Sequence, residues 1–285
     1  MDRVYENAIN QILDSLEKGV VPWQKPWTGG VAGPYNPITK RYFTGINRVI
    51  LGTTCFSSPY FMGFDQAKKA GGFVKKGERG TQIIKFSKVV KKVLDDNNEE
   101  QVITKIYPMS LTVFNLTQIG GLEFDSIKEN TVHEPIEAAD LIIKGMPNPP
   151  KINEQDSYKA AYSPNSDVVI MPKRSQFKSI EEFYNTLFHE LTHSTGHESR
   201  LNRPIKNFFG DNKYSQEELI AEMGAACLAN MVGIFDTTLK NSVAYIQSWA
   251  KAIRNDKMLI FKAASQSKKA CDFILNNVEK SNELC

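Results

Sequence analysis

His189-Glu190-Leu191-Thr192-His193 contains two of the four histidines in the 285-residue chain. Residues four positions apart lie on the same face of an α-helix, so both imidazoles can reach one metal ion. Apolar residues at three- and four-residue spacing in residues 180–191 predict that the stretch is helical. Glu190 would then lie beside the ion, where a general base can take a proton from a metal-held water molecule. The H-E-x-x-H pattern therefore predicts a Zn²⁺ site with His189 and His193 as ligands.

A zinc site of this kind needs a third protein ligand. In a metzincin it would be a histidine at position 199, but Ser199 occupies that position and excludes the metzincin arrangement. A glutamate from a later helix is the other solution, and residues 215–226 contain candidates. Ser215 and Glu218 fit a capping box, which gives Glu218 a structural explanation. We therefore expect Glu222 to be the third ligand, with Glu218 as the alternative and the other glutamate orienting a ligand.

Several polar side chains after the pattern are candidates for supporting roles. His197 continues the four-residue spacing, but Gly196 is expected to end the helix and turn His197 away from the ion. We expect His197, Arg200 and Tyr214 to support a ligand or to bind substrate. Arg203 is a further cation for a substrate carbonyl. The alternatives are that His197 is itself a ligand or lies at the surface, that the arginines are surface residues and that the tyrosine is packed.

Composition and charge describe a globular chain with two different halves. No run of eighteen apolar residues is present, so no membrane span is expected, and the N-terminus lacks the layout of a signal peptide. Four scattered cysteines without a C-x-x-C pair favour reduced thiols in the cytoplasm. Residues 1–122 carry 16 Lys/Arg against 10 Asp/Glu, a net charge of +6, whereas the remainder carries 19 against 22, a net charge of −3. The length and this asymmetry predict two domains with different tasks.

The basic half mixes aromatic rings with cations. Residues 21–27 contain two prolines, so they are expected to be extended and to expose Trp23, Lys25 and Trp27. Unpaired bases stack on aromatic faces while Lys and Arg follow the phosphates, so this mixture favours single-stranded nucleic acid as a partner. The alternative is that the tryptophans are core residues and the lysines only solvate the surface. The further candidates for DNA contacts are Tyr42, Asn47, Arg48, Lys75, Lys76 and Arg79.

The predicted elements indicate an α+β chain of two domains. In the first half we expect a helix at residues 2–18 and a hairpin of two strands at residues 82–92 and 102–115. In the second half, short strands at residues 160–164 and 167–172 precede the H-E-x-x-H helix and later amphipathic helices. Residues 125–135 are polar and lack apolar periodicity. We therefore assign residues 1–124 to the first domain, 125–135 to a linker and 136–285 to the second domain.

Both halves resemble one known family. The segments WQKPW (23–27), PYNP (34–37), YFTGIN (42–47) and GFVKKGERG (72–80) resemble the N-terminal domain of the ArdC antirestriction family. Residues 161–172, the H-E-x-x-H helix and residues 195–203 are similar to the peptidase domain of that family. The resemblance implies a basic α+β domain that binds single-stranded DNA, followed by a mainly helical, zincin-like metallopeptidase domain with a small sheet. It also implies a plasmid or another mobile element as the source, with the host restriction system as the biological target.

We therefore expect a cytoplasmic antirestriction-type protein that binds single-stranded DNA, has no membrane partner and holds Zn²⁺ in a gluzincin-like peptidase site. The candidate substrate of the peptidase domain is a protein of the host restriction system or another protein. One alternative is a non-enzymatic DNA-binding protein whose zinc site is structural or inactive. Another is a host-directed protease whose basic half binds acidic protein.

Overall fold

The computed structural model describes residues 3–25, 27, 33–94, 100–124, 135–205, 212–234 and 243–276. The helices are α1 (Arg3–Glu17), α2 (Gly45–Gly52), α3 (Phe64–Lys69), α4 (Pro135–Gly145), α5 (Ile180–Ser194), α6 (Asn212–Met231), α7 (Val243–Asn255) and α8 (Leu259–Ile274). The strands are β1 (Tyr35–Asn36), β2 (Arg41–Tyr42), β3 (Phe61–Gly63), β4 (Phe73–Val74), β5 (Thr81–Leu94), β6 (Glu100–Asn115), β7 (Ile119–Gly120), β8 (Lys151–Gln155), β9 (Ala161–Ser163) and β10 (Val168–Pro172). Helices and small sheets together make the predicted α+β class. None of the helices in these ranges is long and apolar enough to cross a membrane.

The first half begins with an amphipathic helix followed by a proline-led turn. The stripe of α1 that includes Ile9 and Ile12 is buried, as the apolar spacing predicts. Residues Pro22–Gln24 then form one turn of 3₁₀-helix, because proline is compatible with the first helical position. This turn places Trp23 in the core rather than at the surface.

The longest element pair is the antiparallel ribbon of β5 and β6, which was predicted as a hairpin. Its register runs from Thr81 opposite Val113 to Leu94 opposite Glu100. The third strand of its sheet, β3, pairs with β6 only near the base of the ribbon. Residues 95–99 of the predicted hairpin loop lie outside the described residues, as do residues 125–134 of the predicted linker.

The second half places a three-stranded sheet beside the helix that carries the H-E-x-x-H pattern. Strand β10 lies between β8, which runs parallel to it, and β9, which runs antiparallel. α5 begins after Ser179, whose hydroxyl accepts a hydrogen bond from the backbone N–H of Glu182. α6 begins at Asn212, so Ser215 lies inside the helix and the predicted capping box with Glu218 is not its N-terminus. The predicted helix start was wrong because the sequence pattern around Ser215 does not show that the helix already begins at Asn212.

The largest group of buried apolar side chains combines both halves of the chain. It joins residues of α1, α2 and β5 to residues of α6, α7 and α8. The rings of Trp23 and Trp249 meet edge to face with centroids 5.3 Å apart, and those of Tyr5 and Phe261 with centroids 4.8 Å apart. A second group surrounds α5, β10 and the C-terminal part of α6. Since α6 belongs to both groups, the helix that faces α5 is held by packing from both halves.

Candidate metal centre

α5 presents both histidines of the H-E-x-x-H pattern toward one point. Nε2 of His189 lies 3.1 Å from Nε2 of His193, and the two ring centroids are 4.7 Å apart. The opposite side of the helix is anchored by Phe183, Leu187 and Leu191, which are buried. This anchoring fixes the rotation of α5 and therefore the direction of the imidazoles.

The third group at this point is Glu218 of α6. One of its carboxylate oxygens lies 3.7 Å from Nε2 of His189, and the other lies 3.5 Å from Nε2 of His193. A tetrahedral zinc ion with Zn–N distances of about 2.0–2.1 Å separates its ligand atoms by about 3.3 Å. The observed separations lie on both sides of that value, so His189, His193 and Glu218 fit a small divalent ion.

Glu222, which we expected to be the third ligand, lies on the other side of His189. Its Oε1 is 3.9 Å from Nδ1 of His189, the ring nitrogen that points away from the shared point. A carboxylate in this position attracts the Nδ1–H side of the imidazole electrostatically and favours the orientation in which Nε2 faces a metal. The geometry therefore favours the alternative, Glu218, as the ligand and Glu222 as the group that orients His189.

His193 has a matching carboxylate that the sequence analysis missed. Oε1 of Glu217 lies 3.3 Å from Nδ1 of His193. Arg203 fixes that carboxylate by donating from Nε and Nη2 to its two oxygens, at 3.1 and 2.7 Å, and also donates to Thr195 and to the backbone carbonyl of Thr192. Arg203 is therefore a buried brace of the metal centre, not a surface cation for substrate. The adjacent glutamates at 217 and 218 were the available signal, since neighbouring helix positions can face two different histidines.

The surroundings of the acidic side chains in this centre shift their pKa values in different directions. Burial raises the pKa of Glu217, but hydrogen bonds from His193 and Arg203 outweigh it and hold the pKa below its ordinary value. Burial also raises the pKa of Glu222, which stays high because Glu218 repels its charge. Burial lowers the pKa of His189, yet the hydrogen bond to Glu218 and the nearby carboxylates raise it to about 9. So many acids around one imidazole favour a cation at the centre.

The remaining predicted site residues have different surroundings. Glu190 is buried beside His189, and its charge contributes to the raised pKa of that imidazole. His197 follows the end of α5 and is not part of the ligand cluster, and its Nδ1 lies 2.8 Å from Oγ of Ser199. Arg200 is engaged by Asp167 and by backbone carbonyls. The side chain of Tyr214 lies outside the described part of the chain.

Three of the predicted DNA contacts are core or core-facing residues. Trp23 and Trp27 are only 3% and 4% exposed, so the expectation that they form an exposed stacking surface was wrong. The ammonium group of Lys25 donates to the carbonyl of Thr54 and lies 4.4 Å from the ring centroid of Trp27. Burial lowers the pKa of Lys25. This segment therefore packs into the core, in agreement with the alternative that the tryptophans are core residues.

Three more of the predicted DNA contacts are partly buried. The side-chain amide of Asn47 donates to the carbonyl of Ile84 and accepts from its N–H, both at 2.8 Å, which fastens α2 to β5. Nη2 of Arg48 is buried, and Tyr42 packs edge to face on Tyr35 with centroids 5.0 Å apart. The two hydrogen bonds of Asn47 make it a poor candidate for a direct phosphate contact.

The exposed cations and rings lie further along the same half. Lys75, Lys76 and Arg79 are exposed, as a phosphate-binding surface requires. Phe86 and Tyr107 were not among the predicted DNA contacts, and they are 53% and 44% exposed on the ribbon of β5 and β6. The register places Phe86 on one face with Lys88, and Tyr107 on the other face with Lys85 and Lys105. Alternation in the strands gave no signal for these rings, because both faces of the outer ribbon are exposed.

Comparison with known proteins defines the class. Residues 2–114 match the profile of the N-terminal domain of anti-restriction factor ArdC, and residues 139–266 match that of a zincin-like metallopeptidase. The fold and the centre therefore belong to a two-domain protein that carries a zincin-like metallopeptidase domain.

Solved structures agree with both profiles over almost the whole chain. The metal-free crystal structure of antirestriction ArdC protein from plasmid R388 is 35% identical, with a TM-score of 0.78, and the match covers 98% of this chain and 99% of that one. Its Mn(II)-bound crystal structure matches with 33% identity and a TM-score of 0.76, over 97% and 98% of the two chains. The chain belongs to the ArdC antirestriction family. The metal-bound relative supports a divalent metal at the zincin-like centre.

One further relative is a much longer protein. DNA primase TraC of Escherichia coli is 36% identical over an alignment of 288 positions, which covers 95% of this chain and 27% of TraC. This chain therefore spans little more than a quarter of the length of that relative.

Proposed function

We propose that this chain is an antirestriction protein of a mobile element that combines single-stranded-DNA binding with Zn²⁺-dependent peptide hydrolysis. The observation that carries the enzymatic part is the convergence of His189, His193 and Glu218 on one point, with Glu190 buried beside them. In this proposal the three converging residues are the zinc ligands.

Each residue has a defined task in this proposal. Glu217 lies 3.3 Å from Nδ1 of His193 and accepts its N–H, and Glu222 lies beside Nδ1 of His189, so that Nε2 of both imidazoles is left to face the ion. When bound, zinc polarises a substrate carbonyl and makes a water molecule more acidic. Glu190 accepts the proton of the attacking water and delivers it to the departing amine.

The test of hydrolysis is Glu190→Gln, which keeps the shape of the side chain and removes the base. We expect cleavage of a peptide library by the zinc-loaded protein to fall by about 10²–10⁴-fold. Bound zinc, measured by mass spectrometry of the metal, should remain near one ion per chain. Glu198→Gln is the matched control, because Glu198 is an exposed acid just beyond α5.

Equal cleavage by wild type and the Glu190→Gln variant would contradict the role of Glu190. Zinc binding without Glu190-dependent cleavage would instead favour the non-enzymatic interpretation, in which the zinc is structural.

The DNA-binding part of the proposal rests on charge and exposed rings. The first 122 residues carry a net charge of +6, and Lys75, Lys76 and Arg79 are exposed. Phe86 and Tyr107 offer exposed rings among lysines, which unpaired bases can stack on. We propose these residues as the contact surface, in place of the buried tryptophans. The relative named as a primase is consistent with a nucleic-acid partner.

Fluorescence anisotropy with single- and double-stranded oligonucleotides over a salt series tests this part. We expect single strands to bind more tightly, with affinity falling as salt rises. Phe86→Ala and Tyr107→Ala should each weaken binding by about 1–3 kcal/mol. Tyr158→Ala is the control, because Tyr158 is a fully exposed ring in the second half. Equal losses in all three variants, or none in either ribbon variant, would refute the proposed surface.

A further inference from the structure

The N-terminal half reaches the metal centre through one side chain. Nε2 of Gln24, in the turn after α1, donates to Oε2 of Glu222 at 3.4 Å. The other oxygen of the same carboxylate faces Nδ1 of His189 at 3.9 Å. Gln24 therefore lies at the outer end of a chain of contacts that runs through Glu222 to a ligand of the metal.

The backbone that carries Gln24 is held in place on both sides. Trp23 before it is buried against Trp249 of α7. Lys25 after it is bonded to the carbonyl of Thr54 and lies over the ring of Trp27. A Cβ at Gly52 would be 2.1 Å from the carbonyl oxygen of Pro22, so only glycine permits the turn to approach α2 this closely. A side chain on such a turn has little freedom to leave Glu222.

The two ligand histidines thus have analogous supports from different parts of the chain. His193 is oriented by Glu217, whose carboxylate is fixed by Arg203. His189 faces Glu222 across 3.9 Å, and the carboxylate of Glu222 accepts a hydrogen bond from Gln24. Arg203 and Glu217 belong to the zincin-like half, whereas Gln24 belongs to the half that matches the ArdC N-terminal domain.

We propose that Gln24 is a positioning residue of the metal centre, which fixes Glu222 and through it the imidazole of His189. This inference rests on the proposed function, since it takes His189 as a metal ligand. It makes the centre a composite of both halves, so that the N-terminal half contributes to metal affinity without contacting the metal. Partners of ligands commonly change metal affinity when they are removed, and Gln24 acts one contact further out.

The test measures Zn²⁺ affinity by competition with a chromogenic chelator, using the full chain. Gln24→Ala should weaken zinc binding about three- to tenfold, less than the about 10–100-fold typical of a residue that contacts a ligand directly. Gln24→Glu should weaken it further, because a second carboxylate then faces Glu222. Gln247→Ala is the matched control, because Gln247 is an exposed glutamine on α7.

A rescue separates positioning from simple loss of packing. In the double variant Gln24→Glu/Glu222→Gln the donor and the acceptor exchange places, and the amide oxygen at 222 can still face Nδ1 of His189. We expect the double variant to bind zinc more tightly than Gln24→Glu alone. The melting temperature of each metal-free variant is recorded in parallel and should stay close to that of the wild type. Unchanged zinc affinity in both single variants, or no recovery in the double variant, would overturn the proposal.

Failure of the metal centre itself gives a different result. Glu218→Gln and His189→Ala remove proposed ligands and should abolish tight zinc binding. If these two variants bind zinc like the wild type, the proposed centre is wrong. If they lose zinc while both Gln24 variants bind it normally, only the role of Gln24 is wrong.

Discussion

Arg200 carries its charge into the protein interior, where its side chain is completely buried. It donates to the carboxylate of Asp167, to the hydroxyl of Tyr162 and to the backbone carbonyls of Asn148 and Ser194. We expected Arg200 to support a ligand or to bind substrate. Its hydrogen bonds instead connect the turn after α5 to the β9–β10 hairpin beside the metal centre.

Asp167→Asn tests this structural role. Asp167 has a φ of 50°, which Asn tolerates equally well, so the change removes the charge and little else. Burial raises the pKa of Asp167, but hydrogen bonds from Arg200 and Tyr162 outweigh it and lower the pKa. A depressed pKa means that the ionised carboxylate stabilises the fold above its unfolded pKa, and that this contribution is lost as pH falls through the folded pKa.

We expect the Asp167→Asn variant to lose about 1 kcal/mol of unfolding free energy at pH 7, a low value because Asp167 is partly exposed. The difference from wild type should shrink as the pH is lowered through the acid range. Urea denaturation at a series of pH values measures both. A difference that stays constant down to acid pH would show that the carboxylate charge is not responsible.

The candidate metal centre shows how far single residues can be predicted. His189 and His193 could be proposed as ligands and Glu190 as the base from the sequence, because the spacing that joins them is local to one helix. The choice between Glu218 and Glu222 depends on where α6 begins and how it is rotated against α5, and neither is encoded in the local pattern. The support that Arg203 gives through Glu217 requires the tertiary fold, so no spacing rule could reveal it.

At the scale of elements, α5 and α6 approach each other closely at Gly224, a position of α6 that has no side chain. A Cβ added to Gly224 would lie 2.5 Å from Cγ2 and 2.6 Å from Oγ1 of Thr192. Thr192 is fully buried, and its hydroxyl donates to the carbonyl of Phe188 at 2.7 Å, so it cannot easily move aside. The close approach of the two helices brings Glu217 and Glu218 to the histidines.

Gly224→Ala should therefore separate the helices. Alanine gains up to about 1 kcal/mol of helix propensity over glycine, but overpacking a buried contact costs about 1–3 kcal/mol, so we expect net destabilisation. Zinc affinity should fall as well, because α6 carries the carboxylates away from α5. Gly145→Ala is the control, since no atom lies within 4 Å of the added Cβ. Thermal denaturation measures the stability of both variants, and chelator competition measures their zinc affinity. Equal stability and equal zinc affinity of the two variants would refute the close contact between α5 and α6.

The elements themselves were predictable to different degrees. The predicted ends of the β5–β6 ribbon and of the amphipathic helix α1 lie within a few residues of the observed ends. These elements could be predicted because each is long and its sequence pattern continues over many residues. Strand β8 was not predicted, since its sequence KINEQ contains no buried residue and only one apolar one. Its position is determined by parallel pairing with β10, which is a non-local interaction.

At the scale of the whole molecule, the two sequence domains share a core. Charge asymmetry and the two family profiles divide the chain near its middle, yet α7 and α8 pack against α1 and α2. The ring pairs of Trp23 with Trp249 and of Tyr5 with Phe261 cross that division. Periodicity shows that these helices have apolar faces, but it cannot show which partner covers each face. The packing of the two halves against each other could therefore not be predicted from the sequence.

A shared core predicts that the described parts of both halves unfold together. We expect one calorimetric transition for the full chain, and we expect zinc to raise its midpoint as a whole, because a ligand that binds only the folded state stabilises every region that unfolds with it. Trp249→Ala removes the partner of Trp23 and should lower the stability of both halves by about 3–5 kcal/mol, whereas Tyr158→Ala at an exposed ring should change little. Pulse proteolysis with mass spectrometry assigns each cleavage to one half. Two separate transitions, with zinc or Trp249→Ala moving only the one that belongs to the second half, would show that the halves are independent and that the contacts of Trp23 and Gln24 across them contribute little.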